Sequence, residues 1–290
     1  MAKINEISTI YRHYLARTFR PNTVNDYSKR LLMLERFASM HDITTLGDVN
    51  FTQFLDWLYL ERGIAPRTRN NYRTWACSFC EWCRQREYLE GNPIEGIKPL
   101  REPQKMRQPL TASDLNKVKH YLERRDKHFL LAVMLEYYTF IRPGELSNIR
   151  IGDIDVKNHT IYVSADISKN GKADMVGLNG TIISLMRELA VLRAPKDWYL
   201  FSNYCRPGAA KLHSRMFRER WARLRKRLNL PKEYQFYSLK DSGIRDLANA
   251  EGIVIARDQA RHSSVAVTNK YLQGKDRPVH KEAIRFKGAL

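Results

Sequence analysis

Apolar residues recur at helical spacing along the N-terminal third of the chain. In Val24–Phe37 they follow one another at steps of three and four residues, with basic residues on the other faces. A second stretch of this kind follows Asn50, and a third begins at Pro66 and ends before the breakers Gly91-Asn92-Pro93. No convincing strand pattern interrupts them, so the sequence predicts a helical domain over residues 1–98.

A basic, proline-rich segment follows this helical region. Residues 99–110 carry prolines at positions 99, 103 and 109, and a helix cannot continue across them. We expect an exposed linker here. Thr111 or Ser113 is then suited to cap the first helix of a second domain, residues 111–290. Within that domain Phe129–Phe140 is apolar nearly all round, which predicts its buried central helix.

Strand-like sequence is confined to one region of the second domain. Its two runs are Thr160–Ile167 and Ala173–Leu178, with Asn170-Gly171 between them. Asn-Gly favours a two-residue hairpin turn, because both turn positions must accept a positive φ. The sequence therefore predicts a β-hairpin with Lys169 at its tip and helices again from Thr181 onward. The predicted fold class is mainly α with a small β-sheet.

The chain carries a large positive charge. Its 290 residues include 50 lysines and arginines against 31 aspartates and glutamates, which gives a formal net charge of +19 and a pI near 9.9. So strong an excess favours a polyanionic partner, with nucleic acid first and an anionic membrane surface second. The alternative is a well-solvated basic surface, but the cations recur throughout the chain and do not form one tail.

Neither a secretory signal nor a membrane span is predicted. The N-terminal residues lack an apolar core, and the longest apolar run, Phe129–Phe140, is interrupted by Glu136. That run is well short of the roughly 20 residues that cross a bilayer. We therefore expect a soluble, cytoplasmic protein without a membrane partner.

The four cysteines are too few and too clustered for a disulfide framework. Cys77, Cys80 and Cys83 are spaced three apart, which in a loop would suggest a metal site. They lie instead in a segment of helical apolar spacing, where three thiolates would spread over roughly 120° with no fourth ligand nearby. The sequence predicts core packing for them and no metal.

Two strings in the second domain carry the candidate chemistry. Arg142 lies in Thr139-Phe140-Ile141-Arg142-Pro143-Gly144-Glu145-Leu146, and Tyr271 comes nine residues after the histidine of Ala260-Arg261-His262-Ser263-Ser264. Together with a lysine in a hairpin, this set resembles the catalytic signature of the tyrosine recombinases, the phage integrase family. The resemblance covers nearly the whole chain, loosely in the first half and specifically in the second.

The resemblance implies both a fold and a function. The fold is a helical, SAM-like core-binding domain over residues 1–98 that clamps DNA, a basic linker over 99–110, and an α+β catalytic domain over 111–290 with a three-stranded sheet and a C-terminal tail. The function is site-specific DNA recombination, by integration, excision or inversion. DNA would be cleaved and rejoined through a 3′-phosphotyrosyl intermediate on Tyr271, without a metal or nucleotide cofactor.

Arg142 and His262 would act on the phosphate in this reaction. Cationic donors must neutralise the charge that builds on the two non-bridging oxygens, and a guanidinium fork matches those oxygens. His262 would add a donor there or help to remove the phenolic proton. Glu145 could brace Arg142. The catalytic lysine of the family lies in a hairpin turn, which points to Lys169, with Lys172 as the second candidate for protonating the 5′ oxygen.

The chain departs from the family pattern at the second box. Tyr237 and Lys240 stand where the family has histidine and its second arginine, a Tyr-Ser-x-Lys form similar to integrases of mobile elements in Bacteroidetes-type bacteria. Lysine keeps the charge and loses the two-point grip, so we expect a working, slower enzyme. Arg261, where the family prefers glycine, could supply the missing guanidinium. Arg245 should face away from Lys240, because five helical residues rotate by about 140° net.

The expected partner is double-stranded DNA. From the resemblance we expect a monomer that assembles as a homotetramer on two DNA sites, with or without accessory DNA-bending proteins, in the bacterial cytoplasm at the nucleoid. The tail after Tyr271 would dock on a neighbouring protomer or, alternatively, on its own domain. The residues that we expect at the DNA backbone are Arg67, Arg69, Arg73, Lys105 and Arg107.

Two other functions fit the same residues. A type IB topoisomerase-like enzyme would nick and close DNA by similar chemistry without exchanging partners. A catalytically decayed DNA-binding regulator would account for Tyr237 and Lys240.

Overall fold

The computed structural model divides the chain into two compact units, residues 1–104 and 105–290. It describes residues 3–103 and 108–272. Within these ranges no helix combines the length and the apolar character needed to cross a membrane.

The first unit is built from helices whose starts follow from the sequence. Pro21 and Pro66 occupy first-turn positions. A backbone N–H there has no partner within the helix, so proline, which lacks this N–H, costs no hydrogen bond. Asn50 accepts the Gln53 amide at its side chain over 3.1 Å and so caps the helix that was predicted to follow it. The helices are α1 (Ile4–Thr18), α2 (Pro21–Met40), α3 (Phe51–Asp56), which continues into a π-helical turn (Trp57–Glu61), and α4 (Pro66–Arg84), with a short 3₁₀ turn at Leu46–Asp48.

Aromatic side chains dominate the core of the first unit. Tyr11 of α1 packs edge-on against Phe79 and Trp82 of α4, with ring centroids 4.8 and 4.9 Å apart. Cys80 and Cys83 lie fully buried among them, so their predicted core packing is confirmed. Burial raises the pKa of Cys83 to about 12, which keeps this thiol protonated. Among the described residues, no group of His, Cys, Asp and Glu is placed to hold a metal ion.

The predicted linker is packed at both of its described ends. The Leu100 amide donates to Asn70 Oδ1, and Asn70 Nδ2 donates to the Leu100 carbonyl oxygen, each over 2.8 Å. Leu110 is fully buried in the second unit, and its amide donates to Ser242 Oγ over 2.8 Å. These backbone bonds leave a shorter exposed stretch than the predicted 99–110; residues 101–103 are exposed, and the next four lie outside the described ranges.

Helices also dominate the second unit, and the first of them is capped by Thr111, which accepts the Asp114 amide over 3.1 Å. The helices are α5 (Ala112–Arg125), α6 (Lys127–Thr139), α7 (Pro143–Leu146), α8 (Gly180–Glu188), α9 (Arg215–Arg227), α10 (Ser238–Glu251), α11 (Ile253–Gln259) and α12 (Val265–Leu272). Short 3₁₀ turns lie at Ile151–Asp153, Val191–Arg193 and Asn203–Cys205. The strands are β1 (Ile154–Asp155), β2 (Thr160–Val163) and β3 (Asp174–Gly177).

The three strands form one antiparallel sheet in the order β1-β2-β3. Val163 pairs with Asp174, so ten residues connect β2 to β3, and the predicted two-residue turn was wrong. The Asn-Gly pair does lie in a turn, in which the Gly171 amide donates to the Ser168 carbonyl oxygen over 3.1 Å, with Gly171 at φ +70°. The strands part earlier because Ser168 is buried and Ile167 packs against the core, which draws this hairpin loop inward.

Helix α6 is the predicted buried centre of the second unit, and its burial confirms the prediction. Helix α10 packs against it so closely that a Cβ at Gly243 would lie 1.8 Å from the Tyr137 carbonyl oxygen. Only glycine fits there. The contact fixes α10 beside Phe140, which ends α6 in the left-handed region at φ +56°. Phe140 also anchors a small buried cluster of Ile244, Ala256, Ala260 and Tyr271, which holds α11 and α12 against α10.

Candidate active site

Arg142 is positioned by the turn that follows α6. Pro143 starts α7 and sets its first-turn geometry, while Glu145 at the third helical position accepts the Arg142 backbone amide over 3.1 Å. Glu145 Oε1 also accepts Nη1 of Arg142 over 3.0 Å. Arg142 and Glu145 therefore form one rigid pair, as the three-residue spacing predicted.

Glu145 joins three separate segments of the chain. Besides the contacts from Arg142, it accepts the backbone amide of Lys169 at Oε1 over 3.0 Å and Nη2 of Arg261 at Oε2. Burial alone would raise the pKa of this carboxyl group, but the Lys169 amide and the charges of Arg261 and Arg142 outweigh burial and lower the pKa. Glu145 is thus an ionised hub that places two arginines and the hairpin loop.

The turn between α11 and α12 presents Arg261 and His262. Arg261 adopts φ +54°, and the following His262 amide donates to the Arg257 carbonyl oxygen over 3.1 Å. His262 Nδ1 lies 2.9 Å from Oγ1 of the buried Thr268. The imidazole stacks on the ring of Tyr271, with centroids 5.1 Å apart and an interplanar angle of 27°. The nine-residue spacing therefore brings His262 and Tyr271 into direct contact.

Tyr271 is nearly buried between the two motif boxes. Its Oη lies 3.4 Å from Oη of Tyr237, and 9% of the residue is exposed. Burial and the contact with Tyr271 raise the pKa of Tyr237, so Tyr237 stays neutral and able to donate a hydrogen bond.

Lys240 does not occupy the place that the sequence suggested. It is completely buried, and its Nζ donates to the Phe140 carbonyl oxygen over 2.7 Å. Burial, reinforced by the charge of Arg142, lowers the pKa of Lys240 to about 7. The expected phosphate contact from Lys240 is therefore not met in this structure, because α10 turns the side chain into the core.

Glu136, which interrupts the apolar run of α6, is a buried carboxyl group to which the sequence analysis assigned no role. It is fully buried on α6, and neither carboxylate oxygen has a hydrogen-bond partner among the described residues. Burial raises its pKa well above the ordinary value, opposed by the charge of Lys240. The sequence signal for a buried carboxyl group is a lone glutamate within an otherwise apolar helix.

An open polar cleft of about 720 Å³ lies beside these groups. Arg142, Arg261 and His262 reach it together, and Lys172 enters it from the hairpin loop. The Lys169 side chain is exposed on the same loop, beyond the amide that binds Glu145. With these donors the cleft suits an anion. The residues that line it are Arg142, Ser168, Asn170, Lys172, Asp174, Met175, Asp258, Gln259, Arg261, His262 and Ser263.

The three arginines of the first unit that we expected at the DNA backbone lie in different environments. Arg69 is buried, with Nη1 donating to the Lys98 carbonyl oxygen over 3.0 Å, so our expectation of an exposed DNA contact was wrong. Arg73 is half-buried and donates to the Ile97 carbonyl oxygen. Both hold the chain after α4 in place. Arg67 is exposed on the first turn of α4. The expected contacts Lys105 and Arg107, and the predicted docking tail, lie outside the described residues.

Helix α9 carries a basic face that the sequence analysis did not single out. Phe217, Trp221 and Leu224 are buried on one side of the helix, whereas Arg218, Arg223, Lys226 and Arg227 are exposed on the other. The repeated Arg and Lys between apolar positions at three- and four-residue steps could have revealed it.

Comparison with known proteins places the chain among DNA integrases. A model of the phage integrase family matches residues 108–277. A "Tyrosine recombinase" of Thermosipho africanus (strain TCF52B) is 24% identical over 283 residues, covering 94% of this chain and 96% of that protein. The "Putative defective protein IntQ" of Escherichia coli (strain K12) is 29% identical over 115 residues, 40% of this chain and only 28% of that relative's length.

Solved structures share the fold over almost the entire chain. A lambda integrase dimer bound to a COC′ core site superposes with a TM-score of 0.77 at 18% identity, covering 97% of this chain and 80% of that one. The Tn1549 transposon integrase (residues 82–397), in complex with circular intermediate DNA, gives a TM-score of 0.74 at 16% identity, covering 98% of each chain. The predicted fold class, mainly α with a small sheet, is confirmed.

Proposed function

Because the chain belongs to the phage integrase family and is a tyrosine recombinase, a site-specific DNA recombinase, we propose that it cleaves and rejoins its target through Tyr271. The observation that carries this assignment is the convergence of Arg142, Arg261 and His262 on one cleft, with His262 stacked on Tyr271. A phenol becomes a useful nucleophile toward a phosphodiester only where donors of this kind surround it.

The first step transfers a DNA strand to the enzyme. The Tyr271 phenolic oxygen attacks phosphorus, the bond from phosphorus to the 5′ oxygen breaks, and the 3′ phosphate remains on Tyr271. The Arg142 guanidinium stabilises the charge on the non-bridging oxygens. His262, in contact with the Tyr271 ring, accepts the phenolic proton or donates to the same oxygens. Attack by a 5′ hydroxyl of another strand reverses the step and exchanges the strands.

A lysine of the hairpin loop protonates the departing 5′ oxygen. Lys169 remains the first candidate, because its backbone is tied to Glu145 and so to Arg142. Lys172 lines the cleft and is the second candidate. Either ammonium can reach the leaving group by movement of the loop.

Each unit by itself offers a basic surface to a DNA duplex. Arg67 on α4 and the exposed face of α9 supply cations for its backbone, consistent with the net charge of +19. Among the related solved structures, lambda integrase is a dimer on a core site and a tetramer on a Holliday junction. We infer by analogy that this chain assembles as a homotetramer on two DNA sites, in the bacterial cytoplasm at the nucleoid, with accessory bending proteins where the site requires them.

One observation favours a second candidate, a DNA-binding regulator without catalysis. Lys240, which stands for the second arginine of the family, is buried away from the cleft, and Tyr237 replaces the histidine of the same box. If nothing else supplied the missing donors, cleavage would be lost while DNA binding persisted.

Covalent capture tests the proposal and selects the target site in the same experiment. The probe is a pool of nicked duplexes with randomised arms, in which the nick lets a short 5′-hydroxyl fragment diffuse away so that cleavage cannot reverse. Wild type should yield protein-linked DNA under denaturing conditions, and Tyr271→Phe should yield none. Binding without linkage in the wild type would support the regulator instead.

The recovered sites then separate recombination from topoisomerase-like activity. Two intact duplexes of different length and label, each carrying a selected site, should produce hybrid duplexes with wild-type protein. Relaxation of a supercoiled plasmid without hybrid duplexes would contradict strand exchange and favour the nicking and closing reaction.

A further inference from the structure

The cleft contains a guanidinium at a position where the family pattern has glycine. We propose that Arg261 is a catalytic residue that grips the scissile phosphate in place of the family's second arginine, a role that rests on the function proposed above. The alternative, that Lys240 fills this role, requires an ammonium in the cleft.

Lys240 is held where it cannot touch a phosphate. It is fully buried, its Nζ is bonded to the Phe140 carbonyl oxygen, and it does not line the cleft. Helix α10 cannot easily shift to expose it, because Gly243 is already in contact with the Tyr137 carbonyl oxygen of α6. Lys240 therefore acts as a positioning residue that stabilises the left-handed turn leading to Arg142.

Arg261 and Arg142 are fixed as a pair by one carboxylate. Arg142 Nη1 binds Oε1 of Glu145, and Arg261 Nη2 binds Oε2. Both arginines line the same cleft. Since the two oxygens belong to one buried, planar group, the two guanidinium groups are held side by side, as a clamp on two phosphoryl oxygens requires.

Glu145 cannot satisfy all of their donors. It already accepts four N–H groups, two from Arg142, one from the Lys169 amide and one from Arg261. A carboxylate offers about four acceptor sites, whereas each guanidinium carries five N–H donors. Nε of Arg261 is buried and has no acceptor among the described residues. An anion in the cleft would supply acceptors to donors that the protein leaves over.

Backbone strain at Arg261 supports a functional role. The residue adopts φ +54°, a region that glycine occupies readily and a side chain rarely does. An arginine here keeps its guanidinium at the cost of that strain, as is frequent at functional sites. The strain also makes Arg261→Gly a mild substitution, because glycine relieves the strain while it removes the cation.

Single-turnover cleavage of a selected nicked site tests the proposal. Arg261→Gly should cleave about 10² to 10³-fold more slowly than wild type at saturating protein, as is usual for loss of one preorganised donor. Arg261→Lys should recover part of the rate because it keeps the charge. The matched control is Arg187→Ala, which removes an exposed arginine of α8 that does not line the cleft and should cleave within a few-fold of wild type.

A neutral substrate distinguishes a phosphate contact from a merely structural effect. A methylphosphonate at the scissile position removes one negative charge, so the loss caused by Arg261→Gly should shrink by at least about tenfold on that substrate. An equal loss on both substrates, or wild-type cleavage of the ordinary phosphodiester by Arg261→Gly, would overturn the proposal. If wild type itself forms no covalent complex, the proposed function fails, which is a separate outcome.

Discussion

Burial decides which cations of the second unit can meet a phosphate. Motif spacing concerns residues that are close in the sequence: Arg142 pairs with Glu145 three residues later, and His262 stacks on Tyr271 nine residues later, across a turn and helix α12. Whether the Lys240 side chain points into the core or into the cleft could not be predicted in this way. It depends on how α10 is rotated against α6, and that rotation is set by contacts between residues that lie far apart in the sequence.

Replacing Lys240 with methionine should change how stability depends on pH. The folded pKa is about 7 and the ordinary value is 10.5, so between these values the unfolded chain binds more protons at Lys240 than the folded chain does. Stability from this group is therefore present above pH 10.5 and is lost as pH falls through 7. Relative to Lys240→Met, wild type should gain up to about 1.4 kcal/mol per pH unit as pH rises through this window.

Urea denaturation of both proteins at about pH 6.5, 8 and 9.5 checks this sign. The other charged or titratable groups that act on Lys240 are present in both proteins. They are Glu136, whose pKa is raised by burial, Glu145, Arg142 and Arg261. A stability difference that is flat with pH, or one that falls as pH rises, would show that the Lys240 ammonium is not desolvated as the structure implies.

Replacement of the bridging 5′ oxygen by sulfur should identify the residue that protonates the leaving group. When sulfur replaces the bridging 5′ oxygen, the departing thiolate needs no proton, because thiols are far more acidic than alcohols. Lys169→Met should slow cleavage of the oxygen substrate by about 10² to 10⁴-fold and leave the sulfur substrate nearly unaffected. Lys172→Met is the matched comparison. Rescue by sulfur in Lys172→Met and not in Lys169→Met would reassign the acid to Lys172.

At the scale of elements, the sequence predicted helices better than their connections. The periodic segments after Asn50 and Pro66 became α3 and α4, and the apolar run before Phe140 became the buried α6. The hairpin turn was wrong although its Asn-Gly signal is strong, because Ser168 and Ile167 are drawn into the core. Turn propensity is local, whereas strand length is decided by what the sheet and its loop pack against.

The close packing of α10 on α6 predicts a large effect of one methyl group. In Gly243→Ala the new Cβ would lie 1.8 Å from the Tyr137 carbonyl oxygen and 2.7 Å from the Phe140 ring, so a helix must move. We expect a loss of at least about 1–3 kcal/mol in the free energy of unfolding. Gly180→Ala at the start of α8 meets no atom within 4 Å and should change stability by less than about 1 kcal/mol. Equal melting temperatures for the two variants would refute the close contact.

At the scale of the molecule, both compact units carry exposed cations that suit the polyanionic partner indicated by the net charge of the chain. The second unit contains the cleft and every proposed catalytic group, whereas the first contributes a helical surface with Arg67 exposed. Length and composition predicted two domains and a polyanionic partner. They could not predict which cations are exposed, because Arg69 and Arg67 differ only in the helix face that they occupy.

The proposed reaction of the whole molecule depends on the identity of one nucleophile. After covalent capture, nuclease and protease digestion followed by tandem mass spectrometry should locate a single nucleotide adduct on the peptide that contains Tyr271. The adduct should map to the Tyr271 phenolic oxygen. Tyr237 is a demanding internal control, since its hydroxyl lies only 3.4 Å from that of Tyr271. An adduct on Tyr237 or on any other residue would contradict the central claim.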